Sequence, residues 1–194
     1  MKLYYYPGAC SLADHIALIE AGLPCTLLSI DATKTTEDGR DFLSINPKGY
    51  IPALELEDGT VLTENPVILA YIAAQSGTLL PQDDLLKWKV SEALAYMSSE
   101  VHGAFAPFFR KRPEAEKAQG KEKVIKALAL LSAQMGSKPF LIGEAITIAD
   151  CYLFWVIRAA PIAGVEVPEN LQAWFARMMS RPAILQALEE EGLS

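Results

Sequence analysis

The sequence is short of positive charge and of long hydrophobic runs, and each shortage argues against a class of function. Its 194 residues contain 17 Lys and Arg against 24 Asp and Glu, a formal net charge of −7. A net-acidic chain lacks the counterion release that drives binding to nucleic acid or anionic lipid, so we expect neither partner. The longest uncharged run, residues 65–82, is interrupted by Pro66, Gly77 and Pro81. A membrane span needs about 20 mostly apolar residues, so this run does not predict one.

Cysteine is also scarce. Only Cys10, Cys25 and Cys151 occur, an odd number without the spacing of a metal-ligand set. Four residues separate Lys2 from Pro7, far fewer than the apolar core of about 7–15 residues in a secretion signal. No glycine-rich phosphate loop appears. We therefore expect a reduced, cytoplasmic chain with no metal site and no resident cofactor.

Strand and helix patterns alternate over the first part of the chain. Short apolar or alternating runs predict strands at residues 3–6, 25–30, 52–56 and 60–63. Helical spacing of apolar residues begins at Leu12, and a weaker helix is predicted near residues 40–45. Asn65-Pro66 predicts a further helix, with Asn65 as its N-cap and Pro66 at the first helical position. The order βαβαββα predicts an α/β domain over residues 1–78.

Strand patterns disappear after Pro81. Apolar residues recur at helical spacing from Val90 to Phe105 and again from Val124 to Met135. Thr147 and Asp150 have the spacing of a capping box, and the apolar run at 151–157 that follows predicts a buried central helix. Two short helices are predicted near residues 171–178 and 184–188. We therefore predict an all-helical domain over residues 85–194, with the domain boundary within residues 76–84.

Cys10 is the residue whose position indicates chemistry most directly. It lies between the turn Pro7-Gly8 and the first periodic residue of a helix, where free backbone N–H groups stabilise a thiolate. The alternative is a buried packing cysteine, which we expect of Cys25 and Cys151. The segment after Cys10 lacks the second thiol of a Cys-x-x-Cys pair, so disulfide chemistry here needs an external thiol.

Several motifs in order along the chain resemble the glutathione S-transferase family, most closely its bacterial, beta-class-like branch. These motifs are Pro7–Leu12, Asn46–Leu54, Leu62–Asn65, Glu100–His102, Ile146–Asp150 and Arg181-Pro182. The resemblance implies a thioredoxin-like N-terminal domain and an all-helical C-terminal domain. It also implies a detoxifying homodimer that uses glutathione as co-substrate, with its active site near the dimer interface.

The same resemblance implies how glutathione binds to the first domain. Pro52 is expected to be cis, so that the backbone of Ile51 pairs with the cysteinyl peptide of glutathione as an added strand does. Glu64 and the helix start at Asn65 are expected to hold the γ-glutamyl end. The glutathione sulfur is expected close to Cys10. The alternatives are an ordinary trans proline and an Asn65 that only caps its helix.

Other residues of the implied site come from a loop and from the second domain. Lys34 lies in the loop where relatives place a lysine on the glycyl carboxylate, although a loop lysine is also commonly just solvated. Ser99 and His102 belong to a small, polar stripe on the long helix. The resemblance implies that His102 faces the thiol pocket and is a catalytic residue together with Cys10, and that both Ser99 and His102 contact glutathione. The alternative for His102 is a histidine satisfied at a domain interface.

The expected function is conjugation of glutathione to hydrophobic electrophiles, with thiol–disulfide exchange through Cys10 as a second open chemistry. Two departures from the family pattern, Ala95 for an Asn of some relatives and Gly103 for a Lys, keep a rival hypothesis open. In that rival, the chain is a non-catalytic, transferase-like binding or regulatory protein. Aromatic faces on the helical domain are expected to select the electrophile: Phe105, Phe108, Phe109 and Trp155.

Overall fold

A computed structural model describes residues 1–194, and the chain divides into two compact units. The first unit consists of residues 1–79 together with residues 181–194, and the second consists of residues 80–180.

A four-stranded mixed sheet forms the centre of the first unit. Its strands are β1 (Lys2–Tyr5), β2 (Thr26–Ser29), β3 (Ala53–Glu55) and β4 (Val61–Thr63), in the spatial order β2-β1-β3-β4. β1 pairs parallel with β2, and β3 pairs antiparallel with both β1 and β4. With its helices, this sheet has the predicted order βαβαββα and is thioredoxin-like.

Three helices accompany these strands: α1 (Leu12–Glu20), α2 (Phe42–Ile45) and α3 (Asn65–Ser76). α1 packs against α3, and its apolar stripe is fully buried at Leu12 and Ile16. A second apolar cluster joins the sheet to the start of α2 through Tyr4 and Phe42, whose ring centroids lie 5.7 Å apart. The apolar residues that recur at helical spacing from Leu12 therefore form the buried face of α1.

The start of α3 differs from the prediction by one residue. Glu64, with φ 72°, occupies the N-cap position, and Asn65 is the first helical residue. The predicted N-cap at Asn65 is wrong because its side-chain amide donates to Cys10 and Asp14 rather than capping the helix. Glu64 makes no side-chain capping hydrogen bond either.

The second unit is helical throughout. Its segments are α4 (Asp84–Tyr96), a π-helical turn (Met97–Val101), α5 (His102–Phe109), α6 (Glu114–Met135), α7 (Ile148–Ala159), a 3₁₀ turn (Ala160–Ala163) and α8 (Glu169–Met178). The stripe predicted from Val90 to Phe105 therefore runs through three consecutive helical segments. None of the helices combines the length and the apolar character that crossing a membrane requires.

α7 is the buried central helix of this unit. The predicted capping box is present: the Thr147 N–H and hydroxyl donate to Asp150 Oδ2 at 2.8 and 2.9 Å. α5 and α6 also approach closely at Gly120, where an added Cβ would lie only 2.7 Å from the Ala104 carbonyl oxygen. Local capping and close helix packing thus define this unit.

The last helix, α9 (Pro182–Glu190), belongs to the first unit. The structure differs here from the predicted helical domain at 85–194, because α9 packs against α1. Arg181 donates from Nε and Nη2 to Glu20 at 2.6 and 2.9 Å. His15 lies between the carboxylates of Glu190 and Glu191. These contacts join residues more than 150 positions apart in the chain, which local patterns do not reveal.

Candidate functional site

Cys10 lies in the turn between β1 and α1. Gly8 in this turn has φ 71°, a conformation that favours glycine, and its N–H donates to the Glu191 carboxylate at 2.8 Å. Cys10 is only 6% exposed, and its Sγ donates to the carbonyl oxygen of Ile51 at 3.7 Å. The thiol therefore contacts the backbone that the sequence predicts as the peptide-binding segment.

Burial controls the protonation of this thiol. The pKa of Cys10 is raised from 9.0 to about 12, first by burial and next by the Asp14 carboxylate. The backbone N–H groups of Cys10 and Ser11 lower that pKa but do not offset the burial. The backbone N–H groups thus favour the thiolate as expected, but burial outweighs them and keeps Cys10 a neutral thiol at neutral pH.

The segment before β3 presents backbone groups. The Ile51–Pro52 peptide bond is cis, as expected from the resemblance, and Pro52 is buried. The Ile51 carbonyl accepts from Cys10, whereas the Ile51 N–H donates to no group of the chain. A peptide ligand can pair with such a backbone in the manner of an added strand.

Glu64 is an exposed carboxylate at the N-terminus of α3. Lys48 Nζ lies 2.8 Å from Glu64 Oε1, and it also donates to the Thr63 hydroxyl at 2.9 Å. The side chains of Lys48 and Glu64 are 55% and 61% exposed. Sequence reasoning missed Lys48 as a functional residue, although it lies inside the motif Asn46–Leu54 that carries the resemblance.

Asn65 is buried, and its side chain joins α3 to α1. Its Nδ2 donates to the Cys10 carbonyl at 2.9 Å and to Asp14 Oδ2 at 2.7 Å. Both amide hydrogens are thus used within the chain. The donor that Asn65 retains for a ligand is its backbone N–H at the first helical position, where helices bind anions. Asp14 was not predicted as a functional residue, because a buried contact with Asn65 leaves no local pattern.

Lys34 and Cys25 both differ from the simplest expectation. Lys34 is partly buried, has φ 66°, and donates from Nζ to the Gly49 carbonyl at 2.8 Å. It is therefore not a freely solvated loop lysine. Cys25, which we predicted to be buried, is only partly buried and lies just before β2. The pKa of Cys25 is raised to about 11, mainly by burial.

His102 and Ser99 lie in the second unit. Ser99 is exposed within the π-helical turn, and His102 is the first residue of α5. His102 Nδ1 lies 3.0 Å from the Tyr152 hydroxyl, and its ring centroid lies 4.7 Å from that of Trp155. Burial lowers the pKa of His102 below 6.5, so the imidazole is neutral at neutral pH. π-Helical turns are frequent at functional sites, but the sequence did not predict this one.

Within the first unit, the structure brings the predicted residues together in two groups, one around Cys10 and one around the loop at residues 48–49. Direct contacts join Cys10 to Ile51 and to Asn65 in the first unit. Lys34 and Glu64 are linked to the same loop, through Gly49 and Lys48 respectively. No group of three or more His, Cys, Asp or Glu side chains in residues 1–194 is arranged to hold a metal ion. The arrangement offers a thiol, free backbone groups and an exposed carboxylate to a peptide-like ligand.

The chain is similar to known proteins over its whole length. Residues 9–75 match the family model described as glutathione S-transferase, N-terminal domain, and residues 96–182 match the model of the C-terminal domain. Glutathione S-transferase GstA of Escherichia coli O157:H7 is 40% identical over 200 residues, which cover 100% of both chains.

Solved structures are also similar to the chain over its whole length, at nearly the same sequence identity. The beta-class glutathione S-transferase of Sphingomonas chungbukensis superposes with a TM-score of 0.94 at 39% identity, covering 100% of both chains. A sphingomonad glutathione S-transferase complexed with glutathione superposes with a TM-score of 0.91 at 39% identity, also covering 100% of both chains.

Proposed function

We propose that this chain, which belongs to the glutathione S-transferase family, joins glutathione to hydrophobic electrophiles with Cys10 as hydrogen-bond donor. In this step the glutathione thiol loses its proton to solvent water, and its thiolate attacks an electrophilic carbon. The new carbon–sulfur bond forms as a leaving group departs with its electron pair, or as π electrons move onto an acceptor. The observation that carries this assignment is the burial of Cys10, because a neutral thiol donates a hydrogen bond but is a poor nucleophile.

Glutathione binding in the first unit follows from the polar groups left available there. We assign the cysteinyl peptide of glutathione to the N–H and C=O of Ile51. The γ-glutamyl ammonium is assigned to the Glu64 carboxylate, and the γ-glutamyl carboxylate to the N-terminus of α3 at Asn65. Lys34 is assigned to the glycyl carboxylate, since its ammonium has three donors and uses one on Gly49.

His102 and Ser99 are assigned to glutathione binding on the family resemblance. A neutral imidazole can both give and accept a hydrogen bond, and Tyr152 occupies one ring nitrogen of His102. For the electrophile, Phe109 is 48% exposed and Phe108 is partly exposed, so they are the apolar faces that support a hydrophobic co-substrate. Phe105 and Trp155 are buried, so we assign them to the packing beneath the exposed rings and not to the exposed surface itself.

The assembly and location of the protein are also proposals. We propose a homodimer, which the exposed apolar side chains Leu85 and Trp88 on α4 support, because contiguous exposed apolar surface commonly marks an interface. We propose a cytoplasmic location, which the free thiols of Cys10 and Cys25 support. The non-catalytic rival has no observation in its favour beyond Ala95 and Gly103, and the named relatives above are transferases.

Two variants of Cys10 test the proposed role. Cys10→Ser keeps a donor and should conjugate at close to the wild-type rate, whereas Cys10→Ala should lose up to about tenfold, or ~1.4 kcal/mol of barrier. Both variants should lose glutathione-dependent disulfide reduction, because no second thiol follows Cys10 in its turn. The measurement is steady-state conjugation over a panel of electrophiles, with Cys25→Ser as the control thiol variant.

Two outcomes would contradict the proposal. A loss of conjugation far beyond tenfold in both Cys10 variants, with a single glutathione adduct on the wild type, would make Cys10 the nucleophile. A chain that is not retained by immobilised glutathione and conjugates no electrophile of the panel would instead favour the non-catalytic rival.

A further inference from the structure

Asp14 is a fully buried carboxyl group one helical turn after Cys10. Its Oδ2 accepts from Asn65 Nδ2 at 2.7 Å, and the same nitrogen donates to the Cys10 carbonyl at 2.9 Å. Its Oδ1 is buried with no hydrogen-bond partner. A buried carboxyl oxygen without a partner costs stability, so packing alone does not account for an acid at this position.

We propose that Asp14 is a positioning residue that keeps Cys10 a neutral thiol and so selects conjugation over thiol–disulfide exchange. This inference rests on the proposed function, in which Cys10 donates a hydrogen bond.

Two buried acids that lie close together compete for a single negative charge. Asn65 fixes the position of Asp14 relative to Cys10, because its side-chain amide donates to the carboxyl group of Asp14 and to the backbone carbonyl of Cys10. Burial holds the pKa of Asp14 well above its usual 3.8. The Asp14 carboxylate in turn raises the pKa of Cys10.

The other groups around Cys10 act in the same direction. From the segment before β3, the Ile51 carbonyl accepts the thiol hydrogen, which favours the neutral form. From the start of α3, the Glu64 carboxylate raises the pKa of Cys10 further. Only the backbone N–H groups of Cys10 and Ser11 favour the thiolate. Asp14 is the one fully buried ionisable side chain in this set besides Cys10 itself, so solvent and salt screen its effect on Cys10 least.

The chemical consequence concerns the exchange reaction. In exchange, the Cys10 thiolate attacks one sulfur of a glutathione mixed disulfide, a new sulfur–sulfur bond forms, and the other sulfur leaves as a thiolate. That step needs the ionised form of Cys10. In conjugation, Cys10 needs its proton, because it donates a hydrogen bond to the glutathione thiolate. A buried carboxyl group that Asn65 links to the Cys10 backbone therefore favours one chemistry and suppresses the other.

Alkylation of Cys10 by iodoacetamide tests the inference without glutathione or an electrophile. Rates are measured by peptide-level mass spectrometry from pH 7 to 10 in the wild type, Asp14→Asn and Asp14→Ala. Both variants should alkylate Cys10 about tenfold faster at pH 8.5, the change expected for one pKa unit. Cys25, whose pKa shift has no contribution from Asp14, is the internal reference and should not change. Reduction of a glutathione mixed disulfide should rise in parallel.

The two variants separate charge from packing. Asp14→Asn keeps the shape and can still accept from Asn65, whereas Asp14→Ala cannot. A purely structural role would leave Asp14→Asn like the wild type and change Asp14→Ala alone, and this pattern would overturn the inference. Glu57→Gln removes an exposed carboxylate from the turn between β3 and β4 and should leave Cys10 alkylation unchanged.

The wild type provides a further check that needs no variant. Because Cys10 is more buried and its pKa is higher than that of Cys25, Cys10 should alkylate more slowly than Cys25 at pH 8.5. Faster alkylation of Cys10 would overturn the inference, whatever the conjugation assays show. If Asp14→Ala does not fold, Asp14→Asn still decides, since it only removes a buried charge and its folding is checked by circular dichroism.

Discussion

Glu64 combines a carboxylate, a helix N-terminus and an ion-pair partner in one exposed position. It lies at the N-cap of α3 with a φ of 72°, and Lys48 Nζ donates to its Oε1 at 2.8 Å. Because both side chains are more than half exposed, the pair contributes only ~0–1 kcal/mol to stability. The position therefore suits ligand recognition more than structural support.

Substitution of Glu64 with Gln should weaken glutathione binding while leaving the fold intact. The amide keeps the shape but loses the charge that faces the ligand's ammonium, so we expect a loss of roughly 1.5–3 kcal/mol in binding free energy. Titration calorimetry with glutathione measures this loss. Lys48→Met is the matched control, since it breaks the same surface ion pair without touching the carboxylate.

Two results would count against this assignment. Equal glutathione affinity in the wild type and Glu64→Gln would move the γ-glutamyl site elsewhere. An equal loss of affinity in Glu64→Gln and Lys48→Met would mean that the ion pair, and not a contact between carboxylate and ammonium, supports binding.

Among the elements, α7 depends on a single carboxylate for its start. Asp150 Oδ1 accepts from the Leu141 N–H at 2.9 Å, while its Oδ2 accepts from the N–H and hydroxyl of Thr147. The carboxylate therefore caps the helix and also holds the preceding loop. Every atom in this arrangement is buried, so a lost partner is not replaced by water.

Asp150→Asn should destabilise the protein, because an amide has one acceptor oxygen where the carboxylate has two. One buried N–H then lacks a partner, at a cost of about 1–3 kcal/mol. Urea denaturation followed by circular dichroism measures the change. Asp83→Asn, at the exposed N-cap of α4, is the control: Asn can still accept from the Leu86 N–H, so stability should hardly change.

The pH dependence of this variant has a definite sign. Burial raises the pKa of Asp150 from 3.8 to about 6, so the folded state holds this proton more tightly than the unfolded state. The resulting stability is fully present below about pH 4 and is lost as the pH rises through about 6. Asp150→Asn cannot titrate there, so its deficit relative to the wild type should be larger at pH 4.5 than at pH 7.5. A deficit that grows with rising pH would contradict this reasoning.

On the scale of the whole molecule, the chain returns to the unit in which it started. Residues 181–194 complete the first unit, and α9 covers α1 with Ile184 and Ala187 fully buried. Glu191 is also buried, and it contacts His15 and the Gly8 N–H. The last residues of the chain therefore support the turn that carries Cys10.

Glu20→Gln tests the contribution of this C-terminal return. Glu20 is a mostly buried carboxylate that accepts two hydrogen bonds from Arg181, so we expect a loss of roughly 1.5–3 kcal/mol in stability. Glu92→Gln is the control, because its pair with Lys89 is exposed and local and should contribute under about 0.5 kcal/mol. Chemical denaturation of both variants gives the comparison, and equal losses would show that the return of α9 does not depend on this ion pair.

The sequence by itself determined the order of elements and the local devices that begin them. The βαβαββα order, the start of α1, the buried character of α7 and its capping box all follow from patterns within a few residues. Such patterns are readable because apolar periodicity, caps and turns act over one or two turns of chain. The similarity to a known family was readable for a related reason, since its motifs are short and lie in order along the whole chain.

Only the tertiary structure decided the protonation of Cys10, the use of the Asn65 amide and the unit to which α9 belongs. Each depends on groups that are distant in sequence: Asn65 reaches Cys10 across 55 positions, and Arg181 reaches Glu20 across 161. A helix N-terminus favours a thiolate wherever it lies, but whether burial outweighs it depends on what packs around the turn. Desolvation is a property of the assembled fold, and for that reason the reactive state of Cys10 could not be predicted from the residues beside it.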